Sequence, residues 1–284
     1  MPELPEVETV ANGLNRRVAG DVVVSVWLGD KPQPLKSTAE EIVAALEGAR
    51  IEKVRRVGKH IVFDLAAGEG TRDRTGRKGK KSGKRQWIVH LGMTGRLVVT
   101  DSDVEIAKHT HAVVKLGSGK ELRFVDARRF GRLSVVSGEA EGFTGPGSEP
   151  LNISLEDFAK LFRKRNTPIK AALLNQKLLH GVGNIYADES LFRAGIRPRR
   201  RAGSLSRAQM AKLHRGLKTV LRQAIKMGGS SVSDYVDAEG AEGFFQLRHY
   251  VYMRTGKPCR KCGTPIKRIV LAGRGTHFCP TCQK

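Results

Sequence analysis

The sequence has no long apolar run, and this argues against a membrane-spanning protein. No stretch approaches the roughly 18 consecutive apolar residues of a spanning helix, and the first residues lack the basic-then-apolar order of a signal peptide. We therefore expect an intracellular protein of the cytoplasm with no membrane partner. Apolar residues still make up 39% of the 284 residues, which is enough to build real cores and argues against global disorder.

Acidic residues are also few, because 28 Asp and Glu stand against 51 Lys and Arg and leave a formal net charge of +23. A positive excess of this size indicates a polyanionic partner. Nucleic acid is the leading interpretation. A merely soluble basic surface and an anionic membrane surface are the alternatives.

Cysteine is scarce, but the four cysteines have a telling spacing, Cys259-x2-Cys262-x16-Cys279-x2-Cys282. In a reducing compartment such residues favour metal binding over disulfides. Two CxxC pairs supply four thiolates to one tetrahedral zinc ion, and a closed site of this kind is structural. The residues between the pairs predict a hairpin that turns at Gly273-Arg274-Gly275, with Arg274 at its tip.

The hydrophobic pattern divides the chain into three parts. After a helix over 5–19, short β-branched segments punctuated by glycine run from 22 to 137 and predict a sandwich or barrel. One helix at 38–48 interrupts them, with a capping box at Ser37 and Glu40. Helical periodicity follows, including a helix with Pro168 at its first position. We expect domains at 1–140, 141–248 and 249–284.

A segment between two strands, GEGTRDRTGRKGKKSGKR at 68–85, has eight Lys or Arg, two acidic residues and no apolar residue. A segment without apolar residues cannot pack, so we expect a mobile loop. It is either a non-specific phosphate-binding arm or a solvated insertion of no consequence.

Two further motifs each allow two interpretations. HGVGN at 180–184 is a glycine-rich turn before a helix, which either holds a phosphate with help from Asn184 or simply connects two helices. ARRFGR at 127–132 either inserts Phe130 between base steps and pairs Arg128 with an exposed base, or is an ordinary basic turn with Phe130 in the core.

The chain begins MPELPEVETV, an acidic stretch in a basic protein. Removal of the methionine would leave Pro2 with a free secondary amine, and an α-amine has a pKa of about 8. Such an amine condenses with an aldehyde carbon to a charged iminium that assists elimination, and Glu3 beside it can carry protons. Alternatively the stretch is only a helix start, where Pro and Glu are favourable.

Together these motifs resemble those of the formamidopyrimidine-DNA glycosylase family of bacterial base-excision repair. PELPEVE, the GKH stretch around Lys59, HLGMTG, DARRFG, GVGNIYADESLF and RGTHFCPTCQ occur in the family's order, essentially from end to end. The resemblance implies an α+β multidomain protein with an N-terminal two-layer β-sandwich, a helical helix–two-turns–helix domain and a C-terminal four-cysteine zinc hairpin. The partner is then double-stranded DNA containing damaged bases, and we expect a monomer.

The resemblance also implies a bifunctional glycosylase and AP lyase that acts on oxidised purines such as 8-oxoguanine. Pro2 is then the nucleophile on C1′ and Glu3 the general acid. Lys59 serves β-elimination, and Arg274 serves δ-elimination while it grips phosphates beside the lesion.

Seven further residues match DNA-contact positions or lie near one. Met93 fills the space that the flipped base leaves in the stack, and Phe130 inserts between base steps as a wedge. Arg128 pairs with the cytosine that has lost its partner base. His109 and Asn184 match contacts to the DNA backbone. Asn166 stands where lysine is common in the family, and Lys170 nearby is expected to replace part of the lost charge.

Two rival functions remain open at this point. The endonuclease VIII branch shares the nucleophile and the zinc hairpin but removes oxidised pyrimidines. Its members usually begin PEGPE, whereas this chain has Leu at position 4. A non-catalytic zinc-ribbon DNA-binding protein would explain the charge and the cysteines, but not Pro2, Glu3 and Lys59 together.

Overall fold

The structure, a computed structural model, describes residues 1–66, 84–138, 142–231, 236–238 and 240–284. The chain divides into two compact units, which are described separately. The first comprises Met1–Pro2, Glu6–Thr144 and Ser231–Gly243, and the second comprises Glu3–Pro5, Gly145–Ser230 and Phe244–Lys284. The three-domain division with boundaries after 140 and 248 stays a prediction.

The first unit is built on two four-stranded antiparallel sheets, whose strands match the predicted β-rich region at 22–137 to within one residue at each end. One sheet has the order β1-β6-β7-β5 and the other β2-β3-β4-β8. The strands are β1 (Val23–Leu28), β2 (Arg50–Val57), β3 (His60–Ala66), β4 (Lys84–His90), β5 (Arg96–Asp101), β6 (Thr110–Leu116), β7 (Lys120–Val125) and β8 (Arg132–Gly138). Side chains from both sheets, among them Phe63, Trp87 and Phe124, share one buried cluster. The predicted sandwich is therefore confirmed.

Two helices accompany the sheets, and the start of the second differs from the prediction. Helix α1 (Leu4–Val18) places Val7, Val10 and Leu14 in the sandwich core. Helix α2 (Ala39–Leu46) is capped by Thr38 with Glu41, not by Ser37 with Glu40. The Ser37 hydroxyl instead accepts a hydrogen bond of 3.0 Å from the Val135 N–H on β8.

The predicted basic loop at 68–85 lies mostly outside the described residues. Its last two residues, Lys84 and Arg85, belong to the start of strand β4 and not to a loop. Arg85 pairs with Leu65 on β3 and with Ser137 on β8. Backbone pairing on both sides explains why a polar sequence is recruited into the sheet.

The second unit is helical, as the change of periodicity predicted. Its helices are α3 (Leu155–Phe162), α4 (Ile169–Leu174), α5 (Asn184–Ala194) and α6 (Arg207–Lys226). Ser154 and Ser206 cap α3 and α6 with their hydroxyls. Gly195 ends α5 with a left-handed φ of 71°. Pro168 is the residue before α4 and not its first helical residue.

A two-stranded antiparallel hairpin completes this unit, with strands β9 (Lys267–Leu271) and β10 (Arg274–Phe278). The turn residues are Ala272 and Gly273, which both have positive φ. Arg274 is consequently the first residue of β10, not the tip predicted from the sequence. No helix of the described residues is long and apolar enough to cross a membrane.

Candidate functional site

The carboxylate of Glu3 lies at the N-terminus of α5. It accepts hydrogen bonds from the backbone N–H groups of Ile185, at 3.0 Å, and Tyr186, at 3.4 Å, and only 4% of the residue is exposed. The first N–H groups of a helix have no intrahelical partner and carry partial positive charge. The Ile185 and Tyr186 amides after this glycine-rich turn therefore hold a carboxyl side chain of the chain itself, and a phosphate contact at HGVGN stays a prediction.

The two glycines of this turn are required by close approach. A side-chain carbon on Gly183 would overlap the carboxyl group of Glu3. Gly181 has a φ of +90°, and a side-chain carbon there would lie 3.0 Å from the Leu4 side chain. The Gly181 carbonyl also accepts a hydrogen bond of 3.0 Å from the Leu4 N–H. The turn therefore fixes both the backbone and the carboxylate of the residues that follow Pro2.

A buried polar cluster fixes the beginning of β10 next to Arg274. The Lys170 ammonium lies 2.7 Å from Asp188 Oδ1 and donates hydrogen bonds of 2.9 Å to the Gly275 carbonyl and the Thr276 hydroxyl. Asn184 Nδ2 donates to the same Gly275 carbonyl at 3.0 Å. Asp188 also accepts a hydrogen bond of 2.8 Å from the His277 N–H. Helices α4 and α5 thereby determine where Arg274 leaves the turn.

The predicted DNA contact of Lys170 is wrong for this structure. Its side chain has no exposed surface, and its ammonium is occupied by Asp188 and the hairpin. Burial lowers the pKa of Lys170, and the nearby Asp188 carboxylate opposes that shift. Lys170 therefore does not replace the charge missing at Asn166, which is itself exposed beside the exposed cations Arg163, Lys164 and Arg165.

In the first unit, two neighbouring loops carry the three side chains predicted to enter the DNA stack. Met93 lies between β4 and β5, while Arg128 and Phe130 lie between β7 and β8. Met93 is 40% exposed and Phe130 is 47% exposed, which contradicts a core position for Phe130. The Arg128 guanidinium lies 4.8 Å from the centre of the Phe130 ring. Each side chain stands available to a partner molecule.

Asp126, a residue that sequence reasoning missed, ties these two loops together. Its carboxylate accepts hydrogen bonds from the Thr94 hydroxyl at 2.6 Å and from the Gly131 N–H at 2.7 Å, and the residue is fully buried. Its own N–H donates to the His109 carbonyl at 3.0 Å. His109 is exposed and has a φ of 68°. The motif DARRFG begins with this aspartate, directly before the Ala and the two arginines, and could have indicated Asp126 as a site residue.

Pro2 and Lys59 also belong to the first unit. Pro2 is buried, and Lys59 is half-buried in the tight turn that joins β2 to β3, where Gly58 has a φ of 61°. The chain passes from the first unit to the second between Pro2 and Glu3. The structure therefore brings Glu3, Asn184, Lys170 and the Arg274 strand together in one unit and places Pro2, Lys59 and the stack-entering side chains in the other.

The four cysteines fit one zinc ion. Their sulfur atoms all lie within 4.8 Å of one another, with 3.9 Å between Cys259 and Cys282 and 3.5 Å between Cys262 and Cys279. Tetrahedral zinc with bonds of about 2.3 Å separates its sulfur ligands by similar distances. A structural zinc ion held by these four thiolates would fix the ends of the β9–β10 hairpin.

Family models match the chain along nearly its whole length. A model described as the formamidopyrimidine-DNA glycosylase N-terminal domain matches residues 1–133. The formamidopyrimidine-DNA glycosylase H2TH domain matches 145–236, and a zinc finger found in FPG and IleRS matches 256–284.

Individual proteins agree with these models. The formamidopyrimidine-DNA glycosylase of Herpetosiphon aurantiacus is 43% identical over 288 residues, with all of both chains covered. A Lactococcus lactis Fpg variant, crystallised in complex with a Fapy-dG containing DNA, superimposes with a TM-score of 0.86 at 33% identity and full coverage of both chains. The Lactococcus lactis Fpg in complex with an abasic site containing DNA gives the same TM-score and identity with 99% of each chain covered.

The zinc finger, the sandwich and the helical unit thus all match one set of relatives in one order. The chain belongs to the formamidopyrimidine-DNA glycosylase family, and it is a zinc-finger DNA glycosylase of base-excision repair, a type of enzyme in which AP lyase activity is typical.

Proposed function

We propose that this enzyme excises oxidised purines, such as 8-oxoguanine and formamidopyrimidines, through a covalent intermediate on Pro2 and then cuts the strand by β- and δ-elimination. The observation that carries the proposal is the fixed position of Glu3. Two backbone amides hold its carboxylate at α5, and Glu3 directly follows Pro2 in the chain. A proton carrier is thereby tethered one residue from the amine nucleophile.

In the proposed reaction, the Pro2 nitrogen forms a bond to C1′ of the flipped nucleotide while the bond from C1′ to the base breaks, and the proton that the nitrogen loses neutralises the departing base. Glu3 gives a proton to the sugar ring oxygen, the ring opens, and the nitrogen lone pair forms the iminium. Loss of a C2′ proton then expels the 3′ phosphate, and loss of a C4′ proton expels the 5′ phosphate. Lys59 assists the first elimination and Arg274 the second.

The exposed side chains of the first unit support the DNA-binding part of the proposal. Met93 and Phe130 are apolar groups of the kind that enter a base stack, and Arg128 supplies donors for the base opposite the lesion. His109, Asn166 and Asn184 are proposed to contact the DNA backbone. Since one relative, the Lactococcus lactis Fpg, is found in complex with Fapy-dG DNA and with abasic-site DNA, the proposed partner is double-stranded DNA with damaged bases.

Borohydride trapping tests the nucleophile and the substrate class together. We expect strong covalent trapping on a duplex with 8-oxoguanine opposite cytosine, and weaker trapping on a duplex with an oxidised thymine. Digestion and mass spectrometry of the trapped complex should place the adduct on Pro2 and not on Lys59. Trapping on the pyrimidine duplex alone would assign the enzyme to the endonuclease VIII branch. Absence of trapping, with Met1 removed and DNA binding intact, would refute the Pro2 mechanism.

A Glu3→Gln variant tests the general acid. It should lose base removal while it still cleaves a preformed abasic site, because the sugar of an abasic site is in equilibrium with an open aldehyde that Pro2 can attack without ring opening by Glu3. Glu8→Gln is the control in helix α1, which begins directly after Glu3, since Glu8 is partly exposed and pairs with Arg56. Equal activity of Glu3→Gln and the native enzyme on 8-oxoguanine duplex would refute the role of Glu3.

The proposed enzyme is a monomer of the bacterial cytoplasm, where chromosomal DNA is its substrate. All of its proposed catalytic residues come from one chain. Light scattering during size-exclusion chromatography should give the 31.2 kDa of one chain, and twice that mass would contradict this part of the proposal.

A further inference from the structure

The second unit contains a cleft of about 640 Å³ that is separate from the residues proposed for catalysis and DNA binding. Its walls come from α5, the end of α6, the short 3-10 helix Phe245–Arg248, Tyr250 and Lys261. The floor is apolar. Phe192, Val220 and Phe245 are buried there, and Met227 is half-buried at the edge.

Four exposed cations surround this apolar floor. Arg193, Lys226, Arg248 and Lys261 each come from a different element. None of the four forms an ion pair with an acidic group of the described residues, although ion pairs are found elsewhere in both units. Unpaired cations around an apolar cavity favour a ligand that has both negative charge and an apolar group.

The acidic side chain that lines the cleft does not neutralise these cations. The Glu189 carboxylate accepts hydrogen bonds of 2.9 to 3.1 Å from the N–H groups of Tyr250, Val251 and Tyr252. Burial raises the pKa of Glu189, and the three amide donors only partly oppose this. The carboxylate therefore binds the backbone behind the cleft, and the four cations around the floor face solvent.

The cleft and the proposed active site use different residues of α5. Asn184 and Asp188, which fix the hairpin, do not line the cleft. Glu189 and Arg193 lie about 100° and about 140° further round the helix than Asp188, because each residue turns the helix by about 100°, and Phe192 lies one turn further along the axis. A ligand in the cleft would therefore contact α5 without contacting the Asn184 and Asp188 side chains.

We propose that this cleft docks an acidic peptide segment of a partner protein, with an apolar side chain on the floor and carboxylates on the four cations. Exposed Phe244 and Leu247 on the same segment, 60% and 65% exposed, add apolar surface that a peptide can cover. A single-stranded nucleic acid fits less well because its bases need free aromatic faces. Phe192 and Tyr250 instead stack on each other, with ring centres 5.2 Å apart.

Fluorescence anisotropy with a defined probe tests the proposal. The probe is a fluorescein-labelled peptide of four aspartates, three leucines and one phenylalanine. The zinc-loaded full chain is first saturated with a duplex that carries an abasic-site analogue, so that the DNA-binding surface is occupied. We expect a Kd on the order of 1–100 µM, and at least about tenfold weaker binding when the probe's aspartates are replaced by asparagine or its apolar residues by serine.

Matched variants locate the binding. Lys226→Glu and Arg193→Glu should each weaken binding of the probe by about tenfold. Met227→Gln should also weaken it, because it places a polar side chain at the edge of the apolar floor. Lys212→Glu is the control, because it makes the same charge change on α6 about 21 Å away along the helix axis. Excision of 8-oxoguanine should stay unchanged in all four. Lys226→Gln, with a smaller change, replaces Lys226→Glu if thermal unfolding shows that the latter does not fold.

Three outcomes would overturn the proposal. One is the absence of probe binding. Another is equal weakening by Lys212→Glu and Lys226→Glu, which would mean general attraction to a basic protein. The third is displacement of the probe by an eight-nucleotide oligothymidine whose own binding is lost in Lys226→Glu. That result would make the cleft a nucleic-acid site.

Discussion

Lys170 and Asp188 form an ion pair of 2.7 Å in which neither side chain has exposed surface. Replacing Lys170 by alanine would leave the Asp188 carboxylate buried without its charged partner. We expect a loss of about 3–5 kcal/mol in the free energy of unfolding, as for other broken buried pairs. Urea denaturation of the zinc-loaded protein measures it.

The matched control is Lys120→Ala. Lys120 and Asp101 form a pair of the same 2.7 Å, but their side chains are 47% and 69% exposed. Exposed pairs contribute about 0–1 kcal/mol, so this variant should unfold nearly like the native protein. Similar losses in the two variants would contradict the structural role of the buried pair.

Gly183→Ala should separate base removal from strand cleavage. The added methyl group overlaps the Glu3 carboxyl group, so Glu3 must leave its position at α5. We expect excision of 8-oxoguanine to fall by at least about tenfold, equivalent to about 1.4 kcal/mol of transition-state stabilisation, with a smaller effect on a preformed abasic site. Gly29→Ala is the control, since its added carbon would be 3.5 Å from the Trp27 ring, an ordinary contact.

His249 should make stability depend on pH. Burial lowers its pKa to about 4 from 6.5, with a smaller effect of nearby Arg260 and Arg254. The unfolded chain therefore takes up a proton below about pH 6.5 that the native state refuses until about pH 4. Native stability falls over that window, by about 2–3 kcal/mol between pH 7.5 and 4.5.

A His249→Phe variant lacks this contribution, so the stability difference between native protein and variant should change with pH by that amount. Denaturation curves at several pH values provide the measurement, and zinc release affects both proteins alike. Exposed His109→Gln serves as the control. A stability difference that stays constant from pH 7.5 to 4.5 would show that His249 is not the titrating group.

Phe130→Ala should impair function without affecting stability. The ring is 47% exposed, and exposed positions of this kind change stability by about 0.5 kcal/mol or less. Excision from an 8-oxoguanine duplex should fall because the wedge is lost. The control is Phe124→Ala, at a fully buried position, which should instead lower the free energy of unfolding by about 3–5 kcal/mol. An active Phe130→Ala enzyme would contradict the wedge assignment.

The zinc site predicts a metal-dependent hairpin. Cys279 is fully buried, and a serine there removes one of four thiolates. We expect mass spectrometry of the native protein to find one zinc per chain, and Cys279→Ser to lose zinc and to bind duplex DNA weakly. Normal DNA affinity in a zinc-free protein would show that the metal is dispensable for the hairpin.

The sequence predicted helices and strands well where a local pattern was compatible with one structure only. The β-rich region at 22–137 and the helical region that follows it are of this kind. At Ser37-Thr38-Ala39-Glu40-Glu41 two capping boxes are equally possible, and only the contact of Ser37 with β8 decides between them. The prediction that Arg274 lies at the hairpin tip was wrong for a similar reason. The sequence is also compatible with a turn that closes one residue earlier, and the structure has that turn.

The site was predictable where family motifs mark single residues, and less so where distant residues meet. Lys170 looked like a surface cation because its partner Asp188 lies 18 positions further along the chain. The organising role of Asp126 depends on contacts with Thr94 and Gly131, which come from different loops. Such contacts follow from tertiary packing, which periodicity and spacing do not encode.

The anchoring of Glu3 also bears on how this enzyme can evolve. Enzymes commonly lose stability by keeping polar groups in an active site, so selection for thermal tolerance tends to remove them. Here the proposed proton donor accepts hydrogen bonds from the first amides of α5 and packs against the turn that holds two required glycines. Selection for heat resistance and selection for repair should therefore preserve the same carboxylate, and a thermostabilised library should retain glutamate at this position without any screen for activity.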